Sequence, residues 1–212
     1  ISAIAFTATI CSLNPSLYLA LVSDYGDPGD EGAFGLTGLL CVPAFPMLVY
    51  SVSKVSGVDW MPVVSVLIPI VSGIVIGNLD KELGKFFAGA VPILTPFMGW
   101  AFGAGINLIA AFKAGLEGII LTVIFYVVSF PLLWLFETKV LKESGITTFA
   151  ISSIAGLSVS VPSLIAAADP SVEAIANGAV AQIALGVVIT SIITPYITAV
   201  YAKAKGIEKR VL

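Results

Sequence analysis

Residues 151–170 read ISSIAGLSVSVPSLIAAADP. The stretch is apolar enough for a membrane, yet it carries Ser152, Ser153, Gly156, Ser158, Ser160, Pro162 and Ser163. A span that only sat in lipid would need neither the hydroxyls nor a proline at mid-depth. Pro162 removes a backbone donor and disfavours helical geometry at Val161, so the sequence predicts two half-helices meeting near Val161–Pro162. Non-helical backbone at that depth survives only where protein buries it or where it lines a wet cavity. Broken helices at the midplane are a recurring device of secondary transporters.

The pattern occurs twice. Cys11-Ser-Leu-Asn-Pro-Ser-Leu-Tyr18 places Pro15-Ser16-Leu17 on Pro162-Ser163-Leu164 at an offset of 147, with Ser12 and Asn14 near the positions of Ser158 and Ser160. Gly32-Ala33 matches Gly178-Ala179 at an offset of 146. Two matches at nearly one offset point to an internal repeat.

Composition sets the class. The 212 residues are 58% hydrophobic and 11% charged, with a mean hydropathy of +1.06, whereas a soluble domain carries about 25% charged residues. The chain reads as an all-α polytopic membrane protein. Its net charge of −3 says little about partners when most of the surface faces lipid. There is no histidine, which excludes histidine catalysis and histidine metal sites within the chain. Cys11 and Cys41 lie in apolar runs, so no disulfide is expected. The start, Ile-Ser-Ala, has no methionine or basic flank, and reads as a piece entered in mid-membrane with no cleavable signal peptide.

Seven spans follow from runs of roughly 20 apolar residues. They are about 1–23, 32–52, 60–77, 85–104, 116–136, 147–168 and 176–202, with a tail at 203–212. Lys81, Lys85, Lys139, Lys142, Lys203, Lys205, Lys209 and Arg210 fall on one side, and only Lys54 and Lys113 on the other. The richer side is expected to be cytoplasmic and to hold the C-terminus. The first and sixth spans, both broken, run in opposite directions, so the repeat is inverted. Residues 1–52 are then the end of a first five-helix repeat and 60–202 the whole of a second, seven spans of an inferred ten. Two oppositely directed broken helices crossing near the midplane would centre a transport site.

Gly77-Asn-Leu-Asp-Lys-Glu-Leu-Gly-Lys-Phe-Phe87, Ile93-Leu-Thr-Pro-Phe97 and Phe102-Gly103 resemble the bacterial 2-keto-3-deoxygluconate permease family. So do Ser152-Ser153, Ala155-Gly156, Pro162, Leu164-Ile165 and Val188-Ile-Thr-Ser-Ile192 with Pro195, and Leu17-Tyr18, Tyr25-Gly26 and Gly32-Ala33-Phe34 fit the end of the first repeat. The resemblance implies a ten-span, bile-acid-transporter-like fold in the bacterial inner membrane and proton-coupled uptake of a small sugar-acid anion. The departures fall at polar positions. Where the family has Asp-Met-Thr-Asn-Gly-Gly, this chain has Cys11-Ser-Leu-Asn-Pro-Ser16; a family Asp is Asn107, an Asn is Ala104 and a Glu is Ala167. These changes remove carboxylates and leave substrate and coupling ion open.

The candidate site follows from the chemistry. Pro15 and Pro162 would each open a half-helix whose N-terminus offers unpaired N–H groups to an anion. Asn14, Ser16, Tyr18, Ser158, Ser160 and Ser163 at the breaks, with Thr95, Asn107 and Gln182, would meet the hydroxyls and carboxylate of the substrate. No acid stands at mid-depth; Asp24, Asp59, Glu117, Asp169 and Glu173 are the nearest at span ends. The coupling ion is expected to be a proton, with sodium as the alternative; the oxygens of Ser12, Asn14 and Ser160 would hold it. The competing readings are serines bonded back to their own helix, simple proline kinks, and Tyr18 as an interface anchor. A passive channel would show a continuous polar stripe instead of breaks. An intramembrane enzyme would need a catalytic pair that the spans lack. The expected partners are a small organic anion and the bilayer, with no nucleic acid, no cofactor and no metal. The oligomeric state, a homodimer included, stays open.

Overall fold

The computed structural model describes residues 1–34, 37, 41, 44–53, 61–87, 93, 97, 100, 104 and 108–210. Among these the regular elements are all helical: α1 (Ala3–Ile10), α2 (Pro15–Tyr25), α3 (Pro28–Gly32), α4 (Ala44–Ser53), α5 (Met61–Leu79), α6 (Leu108–Leu135), α7 (Ile146–Ile151), α8 (Val161–Ala168) and α9 (Glu173–Ala204). A π-helical segment, Phe136–Leu141, extends α6, and a 3₁₀ segment, Gly156–Ser160, precedes α8.

Four stretches among the described residues are long and apolar enough to cross a membrane: Ala3–Tyr25, Ala111–Leu141, Ile146–Ala167 and Pro170–Ala204. They fall on the expected spans 1–23, 116–136, 147–168 and 176–202. The expected span 60–77 falls on α5. The second half of 32–52 falls on α4, residues 35, 36, 38–40, 42 and 43 lie outside the described residues, and so does most of 85–104. Within α5 and its continuation, the Gly77 carbonyl lies 3.3 Å from where a Cβ on Gly84 would sit.

The 32-residue α9 is the spine. Its buried positions Ala176, Ala179, Ile183, Val187, Thr190, Thr194, Thr198 and Ala202 recur every three or four residues, one face of a helix. That face carries α6, α7 and α8. Lipid is as apolar as leucine, so such contacts are held by close van der Waals packing and hydroxyl bonds and not by expulsion of water. Close packing needs small residues at the crossings. A Cβ added to Gly118 would meet Leu185 Cδ2 at 2.9 Å, and one on Gly186 would meet Ile154 Cδ1 at 2.8 Å.

Ala111–Leu141 is kinked at Gly115 (φ +44°, ψ −119°), and two other membrane-length stretches lose their helix over several residues. In the first, α1 stops at Ile10 and α2 starts at Pro15. In the second, α7 stops at Ile151 and α8 starts at Val161. The halves pair crosswise. Ile4, Ala5 and Ala8 of α1 share a core cluster with Val161 and Ile165 of α8, while Tyr18, Leu21 and Val22 of α2 share another with Ala150 of α7.

The second interruption differs from the expectation in place and shape. Helical geometry is lost from Ser152, well before Val161–Pro162, and Val161 itself is helical (φ −56°, ψ −47°). The reason is that Pro162 sits in the first turn of α8. There its missing N–H is one of the donors a helix start leaves free anyway.

Candidate functional site

The first break begins with the last turn of α1, where Cys11 N–H still donates to Thr7 O at 3.1 Å and Ser12 N–H to Thr9 O at 3.0 Å. Asn14 then takes extended geometry and its Oδ1 accepts Leu17 N–H at 3.2 Å, capping α2 above Pro15. The carbonyl of Leu13, freed by the break, accepts the Cys41 thiol at 2.8 Å. Both cysteines are free thiols.

In the second break the 3₁₀ segment satisfies part of the backbone, Ser158 N–H donating to Ala155 O at 3.1 Å, and α9 supplies partners ahead of it. Thr194 Oγ1 donates to Ser152 O at 2.6 Å. Thr190 Oγ1 accepts Ile154 N–H at 3.0 Å and Ser153 Oγ–H at 3.3 Å. Ala155 N–H reaches across to Ser12 Oγ at 2.7 Å, and Ser158 Oγ–H donates to the same oxygen at 2.6 Å. Ser12, Ser152, Ser153, Ser158, Thr190 and Thr194 are all buried. The two breaks therefore meet at one buried oxygen, Ser12 Oγ, 143 residues in sequence from Ala155.

Beside the meeting point lies a cavity of about 280 Å³. Cys11, Ser12 and Leu13 of the first break and Ser152 of the second line it, with Phe125 and Ser129 from α6. The wall is mostly apolar, and Ser129 Oγ is buried there with no hydrogen-bond partner among the described residues.

The other expected site residues scatter. Ser158 joins Ser12. Asn14 spends its side-chain oxygen on the α2 cap. Ser16 and Ser163 are exposed, and Ser160, also exposed, donates to Leu157 O at 2.7 Å. Tyr18 is fully buried, its hydroxyl donating to Asp30 O at 2.7 Å, away from the Ser12 meeting point. Gln182 of α9 donates from Nε2 to Glu117 Oε2 at 2.5 Å. Thr95 and Asn107 lie outside the described residues, as does Asp59. Of the span-end acids, Asp169 accepts from Ser171 N–H and Oγ–H.

Sequence reasoning overlooks two sets of groups. Thr190, Thr194 and Thr198 stand four apart on one face of α9, a spacing visible in the sequence. Glu137 is harder to see. The span carries on to Leu141 through the π-helical turn, so Glu137 is inside a membrane-length stretch and not in a loop. It is the one buried charged side chain among the described residues. Its carboxylate accepts Thr147 N–H at 3.1 Å, Thr148 N–H at 2.7 Å and Thr148 Oγ1–H at 2.5 Å. It thereby caps α7, whose own N-cap position is Gly145 with no side chain to offer.

Around this cap the ends of several elements are knit together. Thr147 Oγ1–H donates to Asp30 Oδ1 at 2.6 Å, and Tyr201 Oη–H to Ser144 O at 2.8 Å. Lys209 Nζ lies 2.8 Å from Asp24 Oδ2, and Arg210 Nη1 2.8 Å from Glu31 Oε1. The hydrogen bond and negative charge of Asp24 raise the Lys209 ammonium pKa above its ordinary value. The loops after the first and fifth expected spans and the C-terminal tail thus share one end of the molecule.

Comparison with known proteins bears on what this arrangement serves. The pattern of the family described as 2-keto-3-deoxygluconate permease (KdgT) matches residues 1–207. The chain is 36% identical over 206 residues to 2-keto-3-deoxygluconate permease 1 of Salmonella typhimurium, covering 97% of this chain and 65% of that protein. It is 34% identical over 209 residues to the 2-keto-3-deoxygluconate permease of Xanthomonas euvesicatoria, covering 99% and 65%. Against the 2-keto-3-deoxygluconate permease of Bacillus subtilis it is 32% identical over 210 residues, covering 99% and 64%. The chain thus spans about 65% of the length of these relatives. No solved structure matches it.

Proposed function

This chain belongs to the 2-keto-3-deoxygluconate permease family, a family of permeases and not of enzymes, and from that premise we propose that it forms the crossed-helix part of a secondary active transporter. The transporter imports a small sugar-acid anion, with 2-keto-3-deoxygluconate as the first candidate, by proton symport and alternating access. The observation that supports this reading is the meeting of two helix breaks at Ser12 Oγ. A simple kink would not bring two interrupted helices to one buried oxygen. In this reading seven spans of ten are present, arranged as inverted five-helix repeats in the bacterial inner membrane with the C-terminus cytoplasmic. Beyond Leu17 N–H, which Asn14 already caps, the half-helix starts at Pro15 and Pro162 offer N–H groups to the carboxylate of the substrate. Alternating access moves one broken helix against the other.

A second reading is sodium-coupled symport of a different organic anion, as in bile-acid-type carriers. What favours it is the composition of the breaks: hydroxyls and freed carbonyls, oxygens of the kind sodium binds.

One experiment separates the two. The intact protein in proteoliposomes is given labelled 2-keto-3-deoxygluconate under an imposed pH gradient, then under a sodium gradient. Accumulation driven by the pH gradient is expected. Accumulation driven by sodium alone selects the second reading. Neither, with the protein shown to be folded, means that another substrate is carried.

A further inference from the structure

We propose that residues 205–210 are a strap that fastens the end of α2 to the end of α9 and holds the tail side of the crossing shut. The strap begins with a built turn. Gly206 takes φ +71°, a left-handed conformation. Gly206 N–H donates to Lys203 O at 3.1 Å and Ile207 N–H to Ala202 O at 2.9 Å, closing α9 and sending the chain back over the molecule. It lands on the turn between α2 and α3. Arg210 N–H donates to Asp24 O at 2.8 Å, and the Arg210 guanidinium donates to Gly26 O and to Glu31 Oε1. Lys209 meets Asp24. A cation on the last carbonyls of a helix is favoured by the helix dipole, so these contacts tie down α2 at its C-terminal end.

The position makes the strap more than a frayed tail. The α2 helix is the second half of the first broken span and packs on α7, the first half of the second. The α9 helix carries the threonines that satisfy the second break. Fastening α2 to α9 therefore fixes both broken spans relative to each other at this end. The fastening is also built to release. Its ion pairs are partly exposed, with side-chain exposures of 61% and 27% for Lys209–Asp24 and 38% and 39% for Arg210–Glu31. Such pairs are individually weak and are screened by salt. The inference deepens the transporter reading and rests on it: opening toward the tail side requires the strap to lift.

The test uses Cys11, which lines the cavity at the first break. In the intact protein, with Cys41 and any other cysteine replaced by serine, the rate of Cys11 alkylation by N-ethylmaleimide is compared for wild type, Lys209→Asp, Asp24→Lys and the charge-swapped double variant. Each single variant is expected to speed alkylation about two- to fivefold, the scale of one exposed ion pair, and the double to return it to the wild-type rate. In separate samples with Cys11 also replaced, nitroxide labels at positions 28 and 208 report whether the strap is down. A strap released in the single variants with no change in Cys11 reactivity overturns the proposal. So does a strap that stays down in both, a faster reaction that the swap does not reverse, or no reaction of Cys11 in any variant. Because the readout is a thiol and not uptake, failure to transport a sugar acid would refute the substrate reading and leave this one standing.

Discussion

The two breaks solve the same problem by different means. The first, between Ile10 and Pro15, closes its own backbone mainly with neighbours: Asn14 caps the next helix three residues on and Leu13 O reaches Cys41, while Ser12 Oγ serves the second break. The second, from Ser152 to Ser160, keeps a few local bonds, such as Ser158 N–H to Ala155 O, but takes its other partners from 36 to 146 residues away, from Thr190, Thr194 and Ser12. A break capped locally keeps its shape when its surroundings shift. A break satisfied by other helices has its shape only while those helices stay in place. The second break is therefore the one whose geometry reports the arrangement of the whole bundle.

That contrast is open to direct attack. Ser12→Ala should have the largest effect, because it strips the acceptor from two buried donors, Ala155 N–H and Ser158 O–H. At about 1–3 kcal/mol for each group left unsatisfied, a loss near 3 kcal/mol is expected in unfolding by SDS titration. A loss below about 1 kcal/mol would mean that the breaks do not depend on each other. Thr190→Val keeps the shape of the side chain but leaves Ile154 N–H without its acceptor. A loss of about 2 kcal/mol is expected, together with faster amide exchange over residues 152–155. The smallest effect belongs to the locally capped break. Asn14→Ala removes one cap and should lower stability by about 1 kcal/mol, with increased exchange confined to the first turn of α2. Exchange spreading from there into α7 would show that the first break is no more self-contained than the second.

The same division decides how much could be read from the sequence. The helical membrane class follows from composition alone. Asn14-Pro15 announces the first break because a cap and a first-turn proline are local signals, and the structure starts α2 at that proline. At the second break the signal misleads. Pro162 marks the start of a half-helix, while the loss of helix at Ser152 is stabilised by threonines on a helix that local pattern does not connect to it. The partner of Tyr18 is likewise not a local signal: its hydroxyl donates to Asp30 O, twelve residues on. Glu137 is invisible for a related reason. The N–H groups it caps lie ten and eleven residues on, beyond a left-handed turn at Lys142 and Gly145.

Ser12 Oγ has a further consequence that is a matter of valence. A hydroxyl oxygen offers two lone pairs, and both are occupied, one by Ala155 N–H and one by Ser158 O–H. A cation could use this oxygen only by evicting one of those donors. At that atom, coordination and contact between the breaks are rivals for the same electrons, so an ion bound there would act as a wedge between the two helices and not as mortar.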